Sequence, residues 1–162
     1  MKTRWHTLQK REVRRTCFPR AKTRRIRSSP SIHAFELNPD EIWILGALGG
    51  RLDHSLANIS LLVICAKEGV EARIIDETCE IFIVDQYRVI DGQKGETISL
   101  LPLSSQVTGI TLTGFEYPLF QGKMEIGEPC GISNRFMDEK GTISVESGYL
   151  LVIRNFGRGD SI

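Results

Sequence analysis

The chain lacks most of the marks that would assign it to a large protein class at sight. No apolar run reaches the roughly 18 residues of a membrane span. The longest, Ile59 to Ala66, is interrupted by Ser60. The basic first residues have no apolar stretch and no small-residue cleavage site behind them, so no secretory signal is expected. The four cysteines, Cys17, Cys65, Cys79 and Cys130, show no CxxC spacing. That argues against a zinc site or a disulfide frame, and for reduced thiols in a cytoplasmic protein. Neither GxGxxG nor a Walker A loop occurs. Acid is nearly missing from residues 1 to 35, where eleven Lys/Arg face Glu12 alone, a balance of +10. The other residues reverse it, with ten Lys/Arg against nineteen acids, a balance of −9. The whole chain of 162 residues, 41% hydrophobic and 25% charged, has the composition of one ordinary globular domain or two small ones.

What is present is regular punctuation from Asn38 onward. EIWIL, Glu41–Leu45, is a short β-branched apolar run and reads as a buried strand. A glycine loop, Gly46 to Gly50, follows it. Asp53 is a candidate N-cap for a helix running from about His54 to Glu68, with Leu56, Ile59, Leu62, Val63 and Ala66 on its apolar face and Gly69 at its end. Glu71–Asp76 alternates as a strand would, which completes a βαβ-like unit. Past Asp76 the texture changes to short strand-like runs between glycine turns. They cover Glu80–Asp85, Tyr87–Ile90, Thr97–Leu103, Val107–Thr113, Gly122–Ile126, Thr142–Ser147 and Tyr149–Asn155, a pattern of all-β sandwiches and barrels. The expected class is therefore α+β in two parts. Residues 37–76 form the C-terminal portion of an α/β, Rossmann-like domain, and residues 77–162 form a β-sandwich. Residues 1–36 show neither period and read as a solvated, disordered basic segment.

Three stretches hold residue types that carry chemistry, and each has a structural alternative. In GALGGRLDHSLAN, residues 46–58, glycines such as Gly49 and Gly50 free backbone N–H groups to meet an anion near a helix start. Arg51 can grip phosphate oxygens with two prongs, Asp53 can meet Mg²⁺ or a cationic ligand, and His54 can hydrogen-bond a substrate. The alternative is a strand-to-helix turn capped by Asp53. In GEPCGISNRF, residues 127–136, Ser133 and Asn134 beside Ile132 and Phe136 suit a flat, nitrogen-rich heterocycle. The alternative there is a β-turn with Asn134 at positive φ. In TGFEYPLFQGKMEIG, residues 113–127, Phe115, Tyr117 and Phe120 can line a pocket or serve as core and turn residues.

In this order the stretches resemble thiamine pyrophosphokinase (thiamine diphosphokinase) of the bacterial type. The resemblance rests on PDEIWILGALGGRLDHSLANISLL, then VIDGQKGETISLLPLS, VTGITLTGFEYPL, GISNRF and SGYLLVIRN. It covers about Leu37 to Asn155. It implies a cytoplasmic homodimeric enzyme with an α/β catalytic domain and a β-sandwich that helps bind thiamine. Such an enzyme moves a diphosphate from ATP to the hydroxyethyl oxygen of thiamine, with Mg²⁺, leaving AMP. The resemblance places Arg51, Asp53 and His54 in the catalytic cleft, with Gly49, Gly50 and Arg51 on the ATP phosphates and Asp53 as a Mg²⁺ ligand. It places Ser133 and Asn134 in the thiamine site, facing the partner subunit's cleft.

The chain departs from that pattern upstream, where the family carries acidic DFDS-like and KDxTDxE-like motifs and this chain carries neither. Residues 23–33 can be written in codons that, read two bases later, give ETDTELAIH. Residues 1 to about 33 are therefore expected to be an out-of-frame translation or the remnant of a damaged gene. The activity expected of this chain is then impaired or absent, leaving a thiamine-binding or dimerising remnant as the second reading. A basic arm for nucleic acid is the third. It is not expected, because the arm has no helical or RNA-binding pattern. Nor is any membrane partner expected.

Overall fold

The computed structural model describes Phe35 and residues 39–156. The chain separates into two units, Met1–Pro39 and Asp40–Ile162, and the elements below belong to the second. The expectations of a disordered, out-of-frame basic segment over residues 1–36 lie, Phe35 apart, outside the described residues. Ten strands and one helix follow one another along the chain: β1 (Glu41–Leu45), α1 (Leu52–Lys67), β2 (Glu71–Ile75), β3 (Cys79–Val84), β4 (Tyr87–Asp91), β5 (Thr97–Pro102), β6 (Gln106–Thr113), β7 (Leu119–Glu125), β8 (Gly131–Arg135), β9 (Lys140–Ser144) and β10 (Leu150–Asn155). Among the described residues the protein is thus mostly β-sheet with one helix. Among the described residues, no helix is long and apolar enough to cross a membrane.

The strands form two sheets. One has six strands in the order β1-β2-β3-β10-β5-β8, the other four in the order β4-β9-β6-β7. β1 and β2 are parallel, as a strand pair joined by a helix must be. Every other pairing is antiparallel. β2 pairs directly with β3, Arg73 opposite Phe82 and Ile75 opposite Glu80, so a single sheet runs through Asp76, where the sequence changes texture.

Two apolar layers hold the sheets in place. Between the sheets lie Phe82, Ile98, Leu100, Ile110, Phe136 and Ile143 with their buried neighbours. On the other face of the large sheet, Leu62 of α1 meets Ile74, Ile81 and Leu151. β10 serves both layers: Leu150 and Val152 belong to the first and Leu151 to the second. A strand covered on both faces needs apolar residues at every position, and LLVI supplies them. Each fully buried side chain of this size contributes about 1.5–3 kcal/mol.

The helix differs from the sequence reading at its start and on its face. It begins at Leu52, after an extended Arg51 (φ −100, ψ 103), and has no side-chain cap. Asp53 is therefore inside the first turn and is not the N-cap, because its carboxylate is taken by Arg51. Leu62 and Cys65 are buried, whereas Leu56 is 55% exposed. Apolar residues lie on more than one side of α1, so periodicity alone could not choose the packed stripe. β7 begins three residues before the expected strand, and β8 was read as a loop.

On the sandwich-facing side of the large sheet, an ion-pair ladder crosses four strands. Arg73 of β2 bridges Glu41 of β1 and Glu80 of β3, the latter at 2.5 Å. Arg154 of β10 approaches Glu80 at 3.6 Å and Glu96 at 3.1 Å. Burial works against the Arg73 charge, but Glu80 and Glu41 outweigh it and raise its pKa. The Glu80 side chain is only 10% exposed, so removing its main partner leaves a carboxylate poorly compensated. Arg73→Leu should lower unfolding free energy by about 2–3 kcal/mol in urea titration. An unchanged midpoint would show the ladder to be ornamental. A second constraint is steric. Phe115 and Phe136 meet edge to face, centroids 4.9 Å apart, and a Cβ at Gly141 would fall inside the Phe115 ring's van der Waals envelope. Gly141→Ala should cost about 2 kcal/mol or more in the same assay. Wild-type stability would mean the ring pair can shift freely.

Candidate functional site

The glycine loop leaves β1 through Gly46, whose φ of +65 favours a residue without Cβ. Ala47 is buried, and its carbonyl accepts the Asn58 Nδ2–H at 2.7 Å, which ties the loop to the second turn of α1. The Gly49 N–H points to Ser55 Oγ at 3.3 Å, and that hydroxyl donates to the Arg51 carbonyl at 3.3 Å. Asn58 and Ser55 thus support the loop, and the sequence reading gave neither a role. Their signal was polarity at helix positions that face the strand end. Nothing lies within 4 Å of where a Cβ would stand at Gly49 or Gly50, so the space above them is open.

The loop's charged side chains face solvent. Arg51 grips Asp53 with two prongs, Nε to Oδ1 at 3.2 Å and Nη2 to Oδ2 at 2.6 Å. The guanidinium holds the Asp53 carboxyl below the usual carboxylate range. His54 Nε2 lies 4.0 Å from Asp53 Oδ2. Gly49, Gly50, Arg51, Asp53 and His54 are therefore together at the N-terminal end of α1, where free N–H groups and the helix dipole favour an anion. The described residues contain no group of three or more His, Cys, Asp and Glu that could hold a metal by themselves. Asp53 fits as a single carboxylate ligand of a Mg²⁺ that brings phosphate oxygens and water with it.

The second stretch builds a different kind of site. β8 pairs with β5 through a bulge: Asn134 faces Ile98 and Gly131 faces Leu100, so Ile132 and Ser133 share one partner, Ser99. The extra residue is Ser133, at φ +60, and its N–H donates to Ser99 Oγ at 3.1 Å. The positive φ expected at Asn134 belongs instead to Ser133, because the bulge turns the chain one residue earlier. Asn134 is 4% exposed. Its Nδ2–H donates to the Tyr117 carbonyl at 2.8 Å, and its Oδ1 accepts from the N–H groups of Tyr117 at 3.0 Å and Arg135 at 2.8 Å. Phe115 is core and lines no pocket, while Tyr117 at 63% and Phe120 at 82% are exposed. Ser133, Tyr117 and Phe120 thus share one edge of the β layers.

The two groups of residues do not meet within a protomer. The glycine loop follows β1, and Ser133 is on β8, the opposite edge of the six-stranded sheet. Five strand spacings separate them, about 24 Å at ~4.8 Å each. A cavity of about 220 Å³ lies at neither place. It sits by the C-terminal end of α1 and the β3–β4 turn, beside Glu71 and Arg88, which are paired at 2.5 Å. The described cysteines are free, and burial pushes the Cys65 and Cys79 thiols up.

Residues 83–150 match the family model described as thiamin pyrophosphokinase, vitamin B1 binding domain. The thiamine pyrophosphokinase of Bacillus subtilis (strain 168) is 37% identical over 124 residues, which are 75% of this chain and 58% of that protein. A crystal structure of thiamine pyrophosphokinase from Bacillus subtilis superposes with a TM-score of 0.73 at 36% identity, covering 78% of this chain and 60% of that one. One from Geobacillus thermodenitrificans gives 0.70 at 31%, covering 77% and 58%. The chain therefore spans a little under two thirds of the length of these relatives. Over the part they share, sequence and fold agree, and the chain belongs to the thiamine pyrophosphokinase family, bacterial type.

Proposed function

We propose that this chain serves thiamine diphosphokinase chemistry, ATP and thiamine giving AMP and thiamine diphosphate, and that its site is shared between two copies. One observation carries the second clause. The anion-suited loop and the β8 edge lie about 24 Å apart across five strand spacings. A single small substrate cannot span both within one protomer, but a symmetric dimer can bring one copy's loop against the other's edge. On this reading β1, α1 and β2 belong to the Rossmann-like catalytic domain, residues 37–76, and residues 77–162 form the thiamine-binding β-sandwich. Two packed sheets in the second part and a parallel βαβ unit in the first support that division. Free, buried thiols support a cytoplasmic setting.

In the reaction the thiamine hydroxyl oxygen attacks the β-phosphorus of ATP, and the bond from that phosphorus to the α-phosphate oxygen breaks, so AMP leaves with the electron pair. Gly49 and Gly50 offer open backbone to the phosphates. Arg51 supplies a two-pronged cation for charge that spreads over the transferring group. His54 is placed to hydrogen-bond the reacting hydroxyl. Mg²⁺, arriving with ATP and touching Asp53, would neutralise phosphate charge. Ser133 gives a hydroxyl to the thiamine edge. Asn134 contributes by holding Tyr117, whose exposed ring suits a cationic heteroaromatic. A second reading, thiamine binding without turnover, is favoured by the single carboxylate at the loop among the described residues.

Turnover separates the two readings. With Mg²⁺-ATP and thiamine, the purified chain should release AMP, and Arg51→Ala should slow this by about 10²–10³-fold. Thiamine binding without AMP would leave only the second reading. Mixing subunits tests the shared site. Arg51→Ala and Ser133→Ala proteins, each nearly inactive, should regain about a quarter of wild-type activity on mixing, since half the dimers carry one intact site. No recovery would place both residues in the same protomer's site. The Asp53–Arg51 pair is checked by NMR titration of the carboxyl carbon. Asp53 should stay ionised below the usual carboxylate range, and Arg51→Ala should return its midpoint upward. Because the folded value is depressed, any effect of this charge on phosphate affinity should appear only as pH falls through that low midpoint.

A further inference from the structure

The bulge that carries Ser133 has a counterpart in the other sheet. Where β6 pairs with β7, Ile110 faces Gly122 and Leu112 faces Leu119, so Phe120 and Gln121 together oppose Thr111. Gln121 is left-handed, φ +49, and its N–H donates to Thr111 Oγ1 at 3.2 Å. In β8 the left-handed residue is Ser133 and the hydroxyl is that of Ser99. These are the two non-glycine residues at positive φ among the described residues. In each case the residue just before it carries an exposed apolar side chain, Phe120 at 82% and Ile132 at 47%.

The two bulges lie along one seam. β7 is the edge of its sheet and β8 the edge of the other. The Asn134 amide pins β8 to Tyr117 at one end. At the other end the Met124 methyl lies against Gly131, 3.1 Å from where a Cβ would stand. Phe120–Gln121 and Ile132–Ser133 fall between these two contacts. A left-handed backbone is unfavourable for residues with a Cβ and persists only where its surroundings enforce it. Without the hydroxyl, the bulged residue would be free to return to an extended conformation. That slips the register and turns the preceding side chain to the other face.

Resting on the function proposed above, we infer that Ser99 and Thr111 are positioning residues. They hold Ser133 and Phe120 on this seam as one contact edge for thiamine, with Phe120 as a specificity-determining group. An aromatic face attracts a flat cation, and Phe120 is exposed on this seam together with Tyr117 and Ile132, a grouping of apolar surface and not a lone ring.

Calorimetric titration of the full chain with thiamine tests this. Phe120→Ala and Thr111→Val should each weaken binding about tenfold, the loss of one well-placed aromatic contact. Thr111→Ser, which keeps the hydroxyl, should bind as wild type. The thermal midpoint of Phe120→Ala should not fall, since the ring is exposed, so its loss of affinity cannot come from unfolding. Amide exchange followed by NMR gives a second readout: Gln121 should exchange faster in Thr111→Val, and Ser133 faster in Ser99→Ala. If the wild type binds thiamine and Phe120→Ala or Thr111→Val binds equally well, the positioning role is overturned and the functional reading stands. Unchanged exchange at Gln121 and Ser133 overturns the latches. A wild type that binds no thiamine overturns the functional reading, and this inference with it.

Discussion

The width of the six-stranded sheet is the constraint on which the functional geometry depends. Its strand spacing is fixed by backbone hydrogen bonds and cannot be compressed. With β1 at one edge and β8 at the other, the anion-suited loop and the bulged edge are held about 24 Å apart. No rearrangement of side chains closes such a gap. Either the two groups serve different ligands or a second copy completes each site. Both groups face outward, with Arg51 and Asp53 exposed at one and Tyr117 and Phe120 at the other, which accords with the pairing of copies proposed above.

The same sheet divides the molecule's stability unevenly. The sandwich end is closed by an apolar layer that draws on both sheets. Among the described residues, the βαβ end has a helix on one face alone. Parallel strands are ordinarily covered on both faces. Here Trp43 and Leu45 of β1 are half-exposed, as is Leu56 of α1, and β1 is an edge. What the βαβ unit has in place of a second apolar layer is the ladder from Glu41 through Arg73 and Glu80 to Arg154. It fastens the unit to the centre of the sheet, and an ion pair that is mostly buried specifies register better than it stabilises. The site loop is thus carried by the part of the structure with the least apolar cover.

Much of the fold was legible in the sequence. EIWIL became β1 with the bounds read from it, but not the buried strand expected: it ends the described sheet, and Trp43 and Leu45 are half-exposed, because an apolar run shows strand character without showing what covers it. Most strands after Asp76 were also found, with shifted ends, because glycine turns mark them; β8 was not. Two things were hidden for physical reasons. The helix is apolar on several sides, so its pattern did not single out Leu62 and Cys65 as the packed stripe over Leu56. The run GISNR contains glycine, serine and asparagine, the residues of a turn, and so concealed β8. Its strand character comes from pairing with β5, a tertiary effect that local propensity does not carry. The grouping of Gly49, Gly50, Arg51, Asp53 and His54 at the start of α1 was legible because these residues are close in sequence. The seam between β7 and β8 was not, because its hydroxyls, Ser99 and Thr111, come from other strands.

Ser133 and Asn134 show how neighbouring residues divide a task that motif reading assigns to both. A buried amide must be satisfied, and Asn134 is satisfied by Tyr117 and Arg135 so fully that only one N–H is left to donate elsewhere. Ser133 has its backbone N–H engaged and its hydroxyl outward. The chain conformation decides this split. At a bulge one residue takes the strain and faces out, and the next returns to the pleat and faces in. Exchanging the two would put an amide in the left-handed position, which asparagine tolerates, but would replace the two polar atoms that meet Tyr117 and Arg135 by one hydroxyl on a shorter side chain. The order Ser-Asn therefore suits this backbone, with the amide turned inward and the serine exposed.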